Sequence, residues 1–211
     1  MIIAVDGPAA SGKGTIARAL AGHYKLPHLD TGLLYRVVGQ TVLDRGGDPA
    51  DAEAALAACS FDESLLTDPR LKDSAAGNAA SVVSAHPAVR QALIDRQRAF
   101  ADQLGGAVLD GRDIGTVVAP HAHSKLFVRA TSAIRARRRH DELVRAGSKI
   151  SYDKVLADIK ARDLRDSTRS TAPLRQAPDA ALLDTSFMSI QAAIAHAIEL
   201  VERQIRTVGC P

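Results

Sequence analysis

Tryptophan is absent from this 211-residue chain, and three tyrosines and four phenylalanines bring aromatics to only 3% of residues. So few rings, with few of them among the arginines, leave no stacking platform of the kind on which single-stranded nucleic acids are held, and no nucleic-acid partner is expected. Cysteine is nearly missing too. Cys59 and Cys210 stand alone, in no metal-ligand or redox spacing. Two lone thiols without a leader peptide fit a reducing compartment, and a cytoplasmic protein is expected. No apolar run approaches the roughly 18 residues of a membrane span, so no membrane partner is expected either. A chain of this length buries roughly 70% of its unfolded surface without disulfides or a structural metal, which predicts one domain, and a monomer is expected.

Net charge is also small, at +3, but its make-up is uneven. Of the 27 basic residues, 20 are arginine, and nine of these fall between Arg129 and Arg169. Arginine offers planar, bidentate donors to phosphate, so the bias favours an anionic ligand; genomic composition is the alternative source of the same bias.

What the chain does have, at its start, is Gly-Pro-Ala-Ala-Ser-Gly-Lys-Gly-Thr, directly after Ile2-Ile3-Ala4-Val5. An apolar strand running into a glycine-rich loop and then a helix is the pattern that wraps backbone N–H groups around phosphates. Gly7, Pro8, Ala9, Ala10, Ser11, Gly12, Lys13, Gly14 and Thr15 are therefore expected to bind a nucleoside triphosphate. Lys13 reaches the β- and γ-phosphates. The hydroxyl follows the lysine by two positions rather than one, at Thr15, a variant that leans towards the small nucleoside monophosphate kinases.

Further strand-like runs lie at 27–30, 107–110, 125–129 and 181–184, alternating with helical patterns. Such alternation predicts an α/β fold with a five-stranded, mostly parallel sheet flanked by helices. Ile190, Ile194, Ala197, Val201 and Ile205 form the apolar stripe of a closing helix, with Ser189 as its N-cap. Residues 47–84, with breakers at Pro49, Pro69 and Gly77, suggest a small helical insertion; residues 146–178, charged and ending in Pro173 and Pro178, suggest a second appendage. The core is then 1–46, 85–145 and 179–211.

Three other constellations carry chemistry. Asp30, Thr31 and Arg36 follow the second strand at the edge where open α/β sheets bind ligands, although the same residues read equally as an ordinary capped helix start. Asp110 ends a buried strand and is placed to hold a Mg²⁺ ion together with Thr15. Arg112 and Asp113 emerge beside it in a turn rich in Gly and Asp. Arg135, Arg138 and Arg139 share one helical face, as do Arg162, Arg165, Asp166 and Arg169. Solvated ion-pair faces are the plain reading of such runs, but the transfer of a phosphoryl group requires several cations around it. A guanine-reading Asn/Thr-Lys-x-Asp tetrapeptide, which a GTPase switch would carry, does not occur.

Taken together, the stretches 7–15, 30–36, 78–98 (NAASVVSAHPAVRQALIDRQR), 110–118 (DGRDIGTVV) and 162–174 (RDLRDSTRSTAPL) make the chain similar to the bacterial cytidylate kinases over nearly its whole length. The resemblance implies the P-loop nucleoside monophosphate kinase fold, with 47–84 as the acceptor-binding insertion and 146–178 as a mobile lid. It implies γ-phosphoryl transfer from ATP, with Mg²⁺, to CMP or dCMP; another acceptor (UMP, AMP, dTMP or shikimate) is the alternative. By the same resemblance Lys13, Arg112, Arg138 and Arg169 are catalytic, and Arg135 and Arg139 bind the donor nucleotide. Thr31, Arg36 and Arg112 lie at the acceptor's phosphate side, joined by Arg169 on closure, and Asp30 is a further substrate-binding residue. Ser81, Arg90 and Asp113 read the base, and Arg162 and Asp166 hold the sugar. The segment between Cys59 and Asn78 is shorter than in many members, and Leu33 stands where a small residue is common.

Overall fold

In the computed structural model, residues 1–208 are described; Cys210, one of the two lone thiols, lies outside the described residues. Five strands form one sheet: β1 (Ile2–Asp6), β2 (His28–Asp30), β3 (Ala107–Gly111), β4 (Ser124–Arg129) and β5 (Ala181–Asp184). Their order is β2-β3-β1-β4-β5, and every pairing is parallel. A parallel sheet is covered on both faces, which is why the central strands read as unbroken apolar runs; all five residues of β1 and of β3 are buried.

Parallel strands send all their carboxyl ends to one edge. The register aligns Asp30 with Asp110 and Asp110 with Val5, so Gly7, Thr31 and Arg112 leave the sheet side by side. Helix α1 (Lys13–Tyr24) packs on one face with α8 (Ile190–Val208), around Ile3, Val5, Leu20, Val128 and Leu183. The opposite face is covered by α5 (Pro87–Ala101) and a short π-type turn at Ile114–Val118. The stripe of α8 is as expected at Ala197, Val201 and Ile205 and departs from expectation only in the first turn. Ala193, Ala197 and Val201 are buried, whereas Ile190 is 63% exposed, because the first turn of α8 overhangs the sheet edge beside a cavity. Ser189 caps that helix by accepting the Ala192 N–H at 3.1 Å.

Residues 47–84 are helical: α3 (Ala52–Ala57), two 3₁₀ turns (Glu63–Thr67 and Pro69–Lys72) and α4 (Ser74–Val83). They share one apolar cluster with α2 (Thr31–Asp44) and α5. The α2–α4 contact is close at Gly39, where a Cβ would fall 2.7 Å from the Ala79 Cβ. Gly39→Ala should therefore push the two helices apart at a cost of about 1–3 kcal/mol. Thermal unfolding should register this as a Tm lower by several degrees, at about 2–4 °C per kcal/mol for a chain of this size. An unchanged Tm would contradict so close an approach. The remaining helices, α6 (Ser132–Arg145) and α7 (Tyr152–Thr168), pack on each other through Ala136, Val155 and Ile159.

Candidate functional site

The loop between β1 and α1 is shaped by its glycines. A Cβ on Gly7 would lie 2.1 Å from the Val128 carbonyl oxygen, and Gly12, at φ +92°, turns the chain into α1 in a left-handed conformation that side chains disfavour. No side chain caps α1, and while the Thr15 N–H is taken by the Gly12 carbonyl at 3.1 Å, the start of the helix carries its positive end beside the loop. That is an anion site built from backbone.

Beside it lies a cavity of about 330 Å³, lined by Gly12, Lys13, Gly14, Thr15, Asp30, Arg36, Asp110, Arg139 and Arg162. The Lys13 ammonium stands 3.6 Å from Asp110 Oδ2, and His28 Nε2 lies 2.8 Å from Asp110 Oδ1. Burial works against the Asp110 carboxylate, but His28 and Lys13 outweigh it and hold its pKa below the usual carboxylate range. Burial and the neighbouring Arg112 push Lys13 down to about 8, against the pull of Asp110. Arg36 donates to the carbonyls of Leu71 and Asp73, which tethers it to the insertion; as an ordinary helix-face arginine it would have been solvated.

A second cavity, of about 40 Å³, opens between α2, α4, β3 and α7. It is crowded with ion pairs. Arg112 Nε donates to Asp166 Oδ2 at 2.8 Å, Arg90 donates to Asp113, and Arg169 Nη2 stands 3.5 Å from Asp113 Oδ1. Burial raises the Asp113 pKa, with Arg90 and Arg169 opposing; burial works likewise on Asp166, but there Arg112 and Arg162 prevail and the pKa falls. Arg162 lines both cavities. Desolvation and the adjacent Arg112 push its pKa down to about 9, and its Nε is buried without a hydrogen-bond partner among the described residues, as is Arg169 Nη2.

A third cavity, about 420 Å³, flanks the loop on its far side, between Thr15, Arg138, Arg139, Thr185, Met188 and Ile190. Arg138 donates to Thr185 Oγ1 at 3.0 Å and to the Thr185 carbonyl at 2.6 Å. Arg139 pairs with Glu142 and reaches the Lys72 carbonyl at 3.2 Å.

Several expected site residues take a different place. Arg135 lines none of these cavities. Its Nε donates to the Ala130 carbonyl, its Nη1 to the Ala9 carbonyl and to Asp163, and its Nη2 to Asp163, so its donors fix the glycine loop from behind. Arg169 is not on the helical face of Arg162 and Asp166. Helix α7 ends at Thr168, and Arg169, already extended at ψ 142°, is steered by a hydrogen bond to the Ala172 carbonyl. Ser81 lies behind the second cavity, donating to Asp166 at 3.4 Å and accepting from Arg165 Nε at 3.2 Å. Thr31 lines that cavity, and its hydroxyl donates to the Asp110 carbonyl at 2.9 Å. Ser11 is fully buried, as its place inside the curl of the loop requires.

His28, Asp163 and Thr185 are not legible in sequence as site residues. His28 meets Asp110 only because β2 and β3 pair in one particular register. Among the described residues no three His, Cys, Asp or Glu side chains form a metal cage. Mg²⁺ does not need one, since one or two carboxylates plus substrate phosphates and water complete its shell. Asp110, Asp30 and the Thr15 hydroxyl on one cavity wall are hard oxygen donors of that kind, and they fit the ion.

Comparison with known proteins agrees over the whole chain. A family model described as cytidylate kinase matches residues 3–203. The cytidylate kinase of Xanthobacter autotrophicus (strain ATCC BAA-1158 / Py2) is 56% identical over 202 residues, covering 96% of this chain and 97% of its own length. That of Caulobacter sp. (strain K31) is 55% identical over 211 residues, covering 100% and 98%. The crystal structure of an uncharacterized protein from Eubacterium ventriosum ATCC 27560 superposes with a TM-score of 0.56 at 14% identity, covering 96% of this chain and 98% of that one, a likeness of fold alone.

Proposed function

Since the chain belongs to the cytidylate kinase family, we propose that the first and second cavities are the donor and acceptor halves of one phosphoryl-transfer site. The enzyme transfers the γ-phosphoryl group of ATP to the 5′-phosphate of CMP or dCMP, giving ADP and CDP or dCDP. The observation that carries the division of labour is Arg162, whose guanidinium stands in the wall common to both cavities.

In this reading the loop N–H groups and Lys13 bind the β- and γ-phosphates, and Arg112 and Arg169 hold the acceptor phosphate in line. That phosphate is already ionised, so positioning and charge supply the rate, and no strong base is required. Asp113, held by Arg90, accepts from the cytosine N4 amino group. Uracil would present a carbonyl there, and a buried acceptor facing a carboxylate without a proton between them costs about 1–3 kcal/mol or more. Arg138 and Arg139 line the donor nucleotide's flank, and Arg135 acts through the loop it supports. Mg²⁺, held by Asp110 and Thr15, would neutralise charge on the transferring phosphoryl group.

A nucleotide is much larger than the acceptor cavity of about 40 Å³. Its entry has to exchange the Arg112–Asp166 and Arg169–Asp113 contacts for contacts with ligand. Residues 146–178, which carry half of each pair, are therefore assigned as the moving lid, and 47–84 as the acceptor-binding insertion. Closing excludes water that would otherwise hydrolyse ATP. A cytoplasmic monomer completes the reading; among the described residues no helix is long and apolar enough to cross a membrane.

The test is ADP release with MgATP and, in turn, CMP, dCMP, UMP, AMP, dTMP and shikimate. Fast turnover is expected with CMP and dCMP and weak turnover with UMP. Preference for any other acceptor would overturn the base-reading assignment, and no turnover at all would reduce the likeness to one of fold.

A further inference from the structure

The turn that presents Arg112 and Asp113 has an unusual anchor. Asp113 occupies the N-cap position of the short π-type turn Ile114–Val118, where aspartate normally accepts from the first N–H groups. Its side chain makes no such bond and faces Arg90 and Arg169 instead. The orphaned donors are taken by a residue 108 positions upstream of Ile114. Asp6, the last residue of β1 and 4% exposed, accepts the Ile114 N–H on Oδ1 and the Gly115 N–H on Oδ2, each at 2.8 Å.

We propose that Asp6 is a positioning residue for base selection, capping the Ile114–Val118 turn so that the Asp113 carboxylate is released towards the acceptor. The inference rests on the acceptor reading given above. Asp6 also precedes Gly7 directly, and its strand partner is Gly111, so one carboxylate ties the donor loop to the acceptor turn. The turn is tightly held around it. A Cβ on Gly111 would meet Ile114 Cδ1 and Thr31 Oγ1 at 2.7 Å, and one on Gly115 would meet the Lys125 side chain at 3.1 Å. Burial raises the Asp6 carboxyl to about 7, with Asp113 adding to the rise and the two N–H groups and Arg112 opposing it.

Asp6→Asn keeps the shape but turns one acceptor into an N–H₂ that opposes a backbone donor. In the full-length chain, KM for CMP should rise about tenfold, the usual order for losing one hydrogen bond to a charged group, and KM for ATP should stay within about twofold. The ratio of kcat/KM for CMP over UMP should fall several-fold, which a general loss of stability does not produce. Equal rises in both KM values, or an unchanged CMP to UMP ratio in a folded variant, would overturn the role of Asp6. Absence of CMP turnover by the parent chain overturns the acceptor reading itself, which separates the two failures. If Asp6→Asn does not fold, amide exchange in the parent decides. CMP should slow exchange at Ile114 and Gly115 several-fold beyond ATP alone, and no difference between the two nucleotides would overturn the proposal.

Discussion

Replacing Lys13 with alanine is expected to lower kcat for CMP phosphorylation about 10²–10³-fold, the loss that follows removal of one key donor to developing oxyanion charge. Lys13 opens α1 at the positive end of the helix, and its ammonium is the cation paired with Asp110 at 3.6 Å. With a pKa brought down to about 8 by burial and Arg112, it remains charged at neutral pH. Its removal takes a positive charge from the transferring group and also uncovers Asp110, whose remaining partner is His28. A carboxylate left facing triphosphate repels it, so KM for ATP should rise while KM for CMP changes little. Steady-state kinetics with each substrate varied in turn check this. A kcat within tenfold of the parent would remove Lys13 from the chemistry, and parallel rises in both KM values would point to a collapsed loop.

Asp113→Ala should be the most damaging of the acceptor-side changes, to stability as well as to selection. Asp113 is 5% exposed and stands against two arginines, Arg90 and Arg169, themselves buried. Deleting the carboxylate leaves both guanidinium groups without their anion, and removing one partner of a buried pair costs about 3–5 kcal/mol. For a chain of this size that lowers Tm by about 10 °C. CMP brings its phosphate to Arg169, one of the two arginines left without an anion, so saturating CMP should restore part of the lost Tm. Activity should show KM for CMP rising at least tenfold with the preference over UMP largely gone. Asp113→Asn sharpens the test, because its amide can donate to the uracil carbonyl and should shift the preference towards UMP. A folded Asp113 variant that keeps the parental CMP to UMP ratio would place base reading elsewhere.

Both residues were visible in the sequence, and for different reasons. Lys13 is marked by a loop whose spacing has one mechanical purpose. Asp113 is marked by its neighbour, because a turn rich in Gly and Asp accounts for Asp113 itself but not for an arginine set between carboxylates beside a phosphate site. Residues whose role depends on a distant partner left no such mark. The arginine faces illustrate this. Arg135, Arg138 and Arg139 lie on one helix as their spacing predicts, yet Arg135 is buried against Ala9 and Asp163 while Arg139 reaches the Lys72 carbonyl. Arg169 has helical spacing from Arg162 but lies past the end of the helix. Helical period gives the direction of a side chain on its own element, and not what the neighbouring element brings opposite it.

By itself the sequence determined the alternation of buried strands with helices, the glycine loop and the family to which the motifs belong. These are local properties, set by runs of apolar residues, by glycines where a Cβ would collide, and by charges at strand ends. Tertiary structure decided the rest. The first turn of α8 left Ile190 exposed beside a cavity, while Ala197 and Val201 took their expected places in the core. Strand register put His28 on Asp110, and the ordering β2-β3-β1 carried Asp6 beneath the turn after β3. These contacts join residues far apart in the chain, and their energies depend on distance and burial, which exist only once the sheet has closed.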